Sequence, residues 1–265
     1  MAGINTAITS VGTAAGIGAT AVGFVKANKD ELIEKLEMEK LKKIEESGIN
    51  LGTKNPPTNQ VLSAADTYFT QNQSNTSELD TEIEQLNKQS KNLGNWRTGL
   101  LATNTATNIA GAAIAGTNKV DEDLNTQIQN CISSVKNLRN SIMQARINGE
   151  NVSEAESIAN ACGEYEYVDI SKINKRGTGA MISSTIGAAT GLAGTFTSGF
   201  ANTDKVRNNN STTGKQHEKN LNTAANALSI GATAATATAT IFNATQIAAI
   251  KKVATVSEKC TGVLK

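Results

Sequence analysis

The stretch GTGAMISSTIGAATGLAGTFTSGFANT, residues 177–203, contains no charged residue and repeats a small residue at every fourth position. In a helix this spacing aligns the small residues in a stripe that a neighbouring backbone can approach closely. Glycine costs about 1 kcal/mol against alanine inside a helix, so these glycines require compensation from close packing. The stretch therefore predicts a helix with a packing stripe. The stripe comprises Gly179, Ser183, Gly187, Gly191 and Gly199.

Three more stretches, residues 2–25, 98–118 and 221–250, are also uncharged and rich in Ala, Gly and Thr. Together with 177–203 they are called the four uncharged segments below. Residues 232–242 also alternate with a period of two, which permits a strand, but alanine is depleted in strands and both flanks are helical in pattern. We predict helices throughout. Their packing residues are Gly12, Gly16, Gly111, Ala115, Ala227, Gly231 and Ala235.

The composition excludes several classes of protein. The 265 residues include 36 Ala, 32 Thr, 29 Asn and 22 Gly, whereas aromatic residues make up 3%. So little aromatic and β-branched bulk argues against a β-sandwich or an α/β enzyme core. The formal net charge is +1, which gives no electrostatic basis for binding nucleic acid.

Charged segments with helical periodicity separate the uncharged ones. Residues 30–46 and 79–93 are amphipathic. In residues 121–147, apolar side chains recur at alternating spacings of four and three, the pattern of a coiled-coil seam. The seam comprises Leu124, Ile128, Val135, Leu138 and Ile142.

These patterns predict an all-α fold of antiparallel helical hairpins or a bundle, in which close-packed Gly/Ala/Thr-rich helices alternate with coiled-coil-like amphipathic ones. In most of these hairpins an uncharged helix leads through a polar turn into an amphipathic helix. Ser153 and Glu156 have the spacing of a capping box for a short helix. The predicted division is an N-terminal hairpin (1–47), a proline-containing linker (48–60), a central hairpin with the short helix and a connector (61–175), and a C-terminal hairpin (176–265).

The three cysteines are too few for a disulfide-dense scaffold and form no metal-binding motif. In an oxidising compartment Cys131 and Cys162 are the candidate disulfide pair, and the third cysteine stays a thiol. In a reducing compartment all three act as small buried hydrophobic residues.

No catalytic, cofactor-binding or metal-binding constellation is evident. His217 is the single histidine and lies in a polar stretch, so histidine-based catalysis and metal sites lack a second member. Residues 212–215, TTGK, lack the upstream glycine and the following Ser or Thr of a phosphate-binding loop. We therefore expect a protein that is not an enzyme and needs no cofactor.

Two functions fit this architecture. The first is a helical structural or interaction protein that packs or self-assembles through its small-residue faces, with other protein helices as partners. The second is a membrane-inserting protein, akin to an α-helical pore-former or translocator, whose uncharged segments are long enough to cross a bilayer. An exported, cell-surface or membrane-associated location is favoured over the cytoplasm. The N-terminus lacks the basic residues that begin a signal peptide, so we expect it to belong to the mature fold.

Overall fold

The structure is a computed structural model that describes residues 2–46, 73–117, 122–163, 169–209 and 211–263. The described residues contain helices and no strands, which confirms the predicted all-α fold. The helices are α1 (Ala2–Glu46), α2 (Gln73–Thr117), α3 (Glu122–Ile147), α4 (Ser153–Cys162), α5 (Ile170–Ala201), α6 (Asp204–Arg207) and α7 (Thr212–Val263). The predicted linker, residues 48–60, lies outside the described residues.

Two expected turns are not formed, and the prediction of a hairpin in residues 1–47 is wrong. α1 runs for 45 residues from its uncharged into its charged part without a break, and α7 likewise continues from the fourth uncharged segment into its charged end. Neither junction contains a proline that would interrupt the hydrogen-bond ladder. In α1, Lys26 also pairs with Asp30 one turn later, at 2.5 Å between Nζ and Oδ2, across the expected turn.

The chain forms two compact units that interleave along the sequence. Unit 1 comprises Met1–Gly16, Thr103–Gly191 and Gly231–Lys265, and unit 2 comprises Ile17–Ala102 and Leu192–Ile230. α1, α2, α5 and α7 therefore each contribute one part to each unit. The predicted sequential division into hairpins does not match these units.

Within unit 1, the parts of α1, α2, α5 and α7 pack as antiparallel neighbours. Asn5 on α1 donates from Nδ2 to Asn243 Oδ1 on α7 at 2.9 Å, and Thr13 Oγ1 lies 3.3 Å from Thr240 Oγ1. Residue numbers rise along α1 while they fall along α7 at successive contacts. Unit 2 shows the same arrangement, where Thr20 Oγ1 and Ser229 Oγ are 2.9 Å apart.

The buried positions of these helices recur at alternating spacings of three and four. On α7 they advance with this period over more than five turns, as in a coiled-coil seam. The predicted stripe has a strict four-residue period, which drifts away from the observed seam because a helix turns every 3.6 residues. The buried α7 residues are Asn222, Ala225, Ser229, Ala232, Thr236, Ala239, Asn243 and Gln246.

Threonine hydroxyls on these helices donate to the carbonyl oxygen four residues earlier on the same helix. Thr185 Oγ1 donates to the Met181 carbonyl at 2.9 Å, although the side chain faces outward. Thr197 and Thr238 make the same bond at 2.8 and 2.9 Å. The hydroxyl is therefore satisfied within its own helix.

α3 and α4 pack with the last turns of α7 in unit 1. A small apolar cluster joins Ile132 and Val135 of α3, Cys162 of α4 and Val256 of α7. The turn after α3 depends on Gly149, whose φ of +79° lies in the left-handed region that favours glycine. The expected capping box of α4 is not formed, since Asn151 Oδ1 accepts from the Ser153 backbone N–H at 3.2 Å instead.

The predicted disulfide between Cys131 and Cys162 is wrong. Cys162 is disulfide-bonded, but Cys131 is a free thiol that packs beside the same apolar cluster. The side chain of Cys260, the third cysteine of the chain, lies outside the described residues. Sequence spacing alone does not fix disulfide connectivity.

We expect Cys162→Ser to abolish the change in electrophoretic mobility on reduction and to lower the free energy of unfolding by about 2–4 kcal/mol, because the unfolded chain loses a cross-link. Cys131→Ser is the matched control and should keep the mobility change. Non-reducing electrophoresis and thermal unfolding measure the two effects. A mobility change lost in Cys131→Ser but kept in Cys162→Ser would contradict this assignment.

Candidate functional site: polar interior and apolar outer faces

Asparagine side chains fill the interior of unit 1. Asn104 on α2 donates from Nδ2 to the Gly12 carbonyl at 2.7 Å and to Thr236 Oγ1 at 3.0 Å. Asn108 Nδ2 donates to the same threonine hydroxyl at 2.7 Å. These three side chains are completely buried. The amides thus bond α2 to α1 and α7 where a water-soluble bundle usually packs aliphatic side chains.

Glycines give these amides room. A Cβ atom built on Gly187 would lie 2.7 Å from Asn108 Oδ1, and one built on Gly12 would lie 2.3 Å from Thr107 Oγ1. At Gly16 it would also approach the backbone of α7, at 3.2 Å from Thr233 Cα. The glycines therefore allow close contact within this chain.

Arg97 lies in the interior of unit 2 with no exposed surface. Its Nε donates to Ser198 Oγ at 2.8 Å, its Nη1 to Asn226 Oδ1 at 2.8 Å and its Nη2 to Asn222 Oδ1 at 2.9 Å. Burial lowers the pKa of Arg97 to about 10, so the guanidinium stays protonated at neutral pH. One buried cation thus bonds α2 to α5 and α7.

An ionic network surrounds Lys26 in the same unit. Lys26 Nζ lies 2.5 Å from Asp30 Oδ2 and 4.0 Å from Glu218 Oε1, which in turn lies 3.6 Å from Arg207 Nη1. Burial lowers the pKa of Lys26, although Asp30 opposes this shift. Burial likewise raises the pKa of Glu218 against the effect of Lys26. Most charges of this network are thus paired. The network lies at the junction between the uncharged and charged parts of α1.

The outer faces of the uncharged segments carry the large apolar side chains. Each of α1, α2, α5 and α7 exposes such residues, and Phe196 is 70% exposed. Among the described residues of these segments, Leu101 is the single large aliphatic or aromatic side chain that is buried. The exposed set is Ile4, Val11, Ile17, Phe24, Val25, Ile109, Ile182, Ile186, Leu192, Phe196, Phe200, Ile230, Ile241 and Ile250.

The asparagines of these segments show the opposite distribution. Six of the seven described ones are buried, and the seventh, Asn226, is half-buried and bonded to Arg97. Polarity is therefore inverted relative to a surface helix of a water-soluble protein, whose apolar stripe faces the core. The buried six are Asn5, Asn104, Asn108, Asn202, Asn222 and Asn243.

The predicted packing residues fall into two groups. The interior ones are Gly12, Gly16, Gly111, Ala115, Gly187 and Gly191, all of them buried in unit 1. The others lie at the margins: Gly179, Ser183, Gly199, Gly231 and Ala235 are half-buried, and Ala227 is exposed.

Of the predicted α3 seam, Val135 is 5% exposed and packs in the apolar cluster, whereas Leu138 and Ile142 are half-buried. The side chains of Leu124 and Ile128 lie outside the described residues.

His217 lies beside a surface depression of about 390 Å³ in unit 2, and its ring meets that of Phe200 edge-on at 6.4 Å between centroids. Within the described residues, no group of three His, Cys, Asp or Glu side chains comes together in a way that would hold a metal ion. In the part of the chain that the structure describes, the helices are closely packed around buried polar side chains, and no set of reactive groups comes together.

Sequence reasoning missed the buried polar residues, above all Arg97, Lys26 and the asparagines. For the asparagines, the sequence does contain a signal of burial, which is their spacing. Asn104 and Asn108 share one helix face, as do Asn222 and Asn226. No family model, curated protein or solved structure was found to match this chain.

Proposed function

We propose that this protein is not an enzyme and inserts into a lipid bilayer through its four uncharged segments. The observation that carries the proposal is the inverted polarity, with Asn inside and Ile, Phe, Leu and Val outside. Hydrocarbon solvates exposed aliphatic side chains, whereas polar side chains in membrane helices face the bundle interior and bond to each other. The observed distribution fits this environment.

Length and close packing support the same proposal. Each uncharged segment has at least the roughly 20 residues that cross a hydrocarbon core of about 30 Å. Among the described helices, α1 is the one that meets both length and composition criteria for a span, with a mean hydropathy of 1.5 in its most apolar window. Small residues that let backbones approach are also the usual means of helix association in bilayers.

Aromatic side chains stand where the uncharged segments of unit 2 meet charged residues. Phe24 precedes Lys26, Trp96 precedes Arg97, and Phe200 precedes Asp204. Phe24, Trp96 and Phe200 are 54%, 68% and 50% exposed. Tryptophan in particular is enriched at the membrane–water interface, so its position favours a bilayer boundary at this level.

We expect Ile186→Lys to reduce the membrane-bound fraction of the protein strongly, because a lysine near the middle of a membrane helix costs about 3 kcal/mol, or roughly a hundredfold in partition. Ile186 is 52% exposed on α5. Met143→Lys on α3 is the matched control, since Met143 is 59% exposed outside the uncharged segments. Resistance of the expressed protein to carbonate extraction measures the effect.

In water neither substitution should change the free energy of unfolding by more than about 0.5 kcal/mol. A wild-type protein that elutes as a soluble, monodisperse species and releases no dye from liposomes would refute membrane insertion. Equal loss of the membrane fraction in both variants would do so too.

A helical structural protein that assembles with other protein helices is the second candidate. The apolar row along α5, formed by Ile182, Ile186, Phe196 and Phe200, favours it because all four side chains are at least half exposed. Sedimentation of a soluble wild-type protein as an oligomer, together with dissociation of that oligomer by Ile186→Lys, would support this candidate.

A further inference from the structure

We infer that a cluster of basic residues in unit 1 binds the headgroups of anionic phospholipids. This inference rests on the proposed membrane insertion and adds a lipid class to it. The basic cluster comprises Lys172, Lys175 and Arg176 at the start of α5, with Lys251 and Lys252 on α7. It lies where the uncharged segments of both helices end, at Gly177 and Ile250.

Two hydrogen bonds bring the two halves of the basic cluster together. Arg176 Nη1 donates to the Thr245 carbonyl at 3.0 Å, and Gln246 Nε2 donates to the Ile173 carbonyl at 3.4 Å. Because α5 and α7 are antiparallel, these contacts set all five basic residues within roughly 15 Å along the helix pair, at 1.5 Å per residue. The four lysines are exposed, and Arg176 is half-buried.

Among the described residues, Asp169 is the one acidic group that forms an ion pair with the basic cluster. Glu164 and Glu166 precede the cluster in the sequence and lie outside the described residues. Lys172 pairs with Asp169 at 3.4 Å, whereas Lys175, Arg176, Lys251 and Lys252 form no ion pair with another described residue. At the corresponding junctions in unit 2 three lysines are paired, whereas the exposed Lys205 forms no ion pair with another described residue. There Lys91 bonds Asp204, Lys215 bonds Glu37 and Lys219 bonds Glu34. Within the described residues, the basic cluster thus holds five basic side chains, of which Lys172 alone forms an ion pair.

Apolar outer faces adjoin the basic cluster directly. Ile182 and Ile250 are exposed within two turns of it on the same two helices. Lysine side chains at the end of a membrane helix extend their charged ends toward the headgroups, while their methylene stems cover apolar surface. Phospholipid headgroups with net negative charge supply the complementary partner at this depth.

Flotation of the purified full-length chain with vesicles tests the inference. The vesicles contain phosphatidylcholine alone or phosphatidylcholine with phosphatidylserine. We expect tighter binding to the phosphatidylserine vesicles, since each basic residue near an anionic surface raises binding about fivefold. The preference should weaken as salt is added.

The triple variant Lys175→Gln, Lys251→Gln, Lys252→Gln should bind phosphatidylserine vesicles roughly a hundredfold more weakly than wild type, while its binding to phosphatidylcholine stays unchanged. The control is Lys35→Gln, Lys88→Gln, Lys136→Gln, which removes the same charge from exposed positions elsewhere and should keep the preference.

Three other outcomes would contradict the inferred lipid preference. Equal wild-type binding to both kinds of vesicle overturns the lipid preference and leaves membrane insertion standing. Equal loss in the control variant also overturns it, because net charge then suffices. Absence of binding to either vesicle refutes membrane insertion and this inference with it.

Discussion

Arg97→Ala should lower the free energy of unfolding by about 3–5 kcal/mol, which is a large part of the stability of a single domain. The guanidinium is completely buried and bonds Ser198, Asn222 and Asn226 from two other helices. Its removal takes the donor away from the buried Asn222 and Ser198 and from the half-buried Asn226, and it opens a cavity. Arg97→Lys retains the positive charge but has one nitrogen in place of the three donor nitrogens of the guanidinium. It should therefore recover only part of the lost free energy of unfolding.

Lys91→Ala is the matched control on the same helix. Lys91 forms an ion pair with Asp204 at 2.8 Å, but the side chains are 45% and 68% exposed. Pairs of this kind contribute about 0–1 kcal/mol. Thermal unfolding followed by circular dichroism, in a buffer or detergent that keeps the protein monodisperse, compares the variants. A similar shift for Arg97→Ala and Lys91→Ala would show that the buried network does not hold unit 2 together.

Gly16→Leu should destabilise unit 1 by about 3 kcal/mol or more, since overpacking a closed interior costs 1–3 kcal/mol and larger side chains cost more. A Cβ at this position already meets Thr233 Oγ1 at 2.5 Å, Asn104 Nδ2 at 3.0 Å and Thr233 Cα at 3.2 Å. The hydroxyl can rotate away, but the backbone cannot move unless α1 and α7 separate. The asparagine bond to Thr236 would then be lost as well.

Gly99→Leu tests whether the cost comes from packing or from the helix itself. A Cβ on Gly99 meets no atom within 4 Å, and the residue lies inside α2. Its replacement should be neutral or stabilise the protein by about 0.5 kcal/mol through helix propensity. Gly16→Leu should therefore lower the unfolding temperature, whereas Gly99→Leu should leave it unchanged or raise it slightly. Equal destabilisation by both would contradict the packing role of Gly16.

Much of the secondary structure could be predicted from the sequence. The uncharged composition with regular small residues indicated helices over all four segments, and the seam pattern placed α3 within a residue of its observed bounds. Both rest on local properties, helix propensity and periodicity, which do not depend on what surrounds the helix. The absence of a turn within α1 and α7 is harder to predict, because polar residues favour a turn without requiring one.

Six of the predicted packing residues are buried, but the polar side chains of the interior were not predicted, for a physical reason. Reading a core from sequence assumes that apolar residues point inward, which holds for protein surfaces in water. On α5 this assumption selects Ile182, Ile186 and Phe196, and all three face outward. The buried positions of the same helix include Ser184 and Ser198. Only a three-dimensional arrangement reveals that the interior side of these helices is the polar one.

The threonine hydroxyls that bond to their own helices have a consequence for movement between solvents. Because Thr185, Thr197 and Thr238 donate to carbonyls of the same helix, the group that they turn outward is mainly a methyl. Leaving water therefore breaks few strong hydration contacts, and entering hydrocarbon requires no new partner. Under the proposed membrane insertion, these hydroxyls would therefore keep their hydrogen bonds when they leave water.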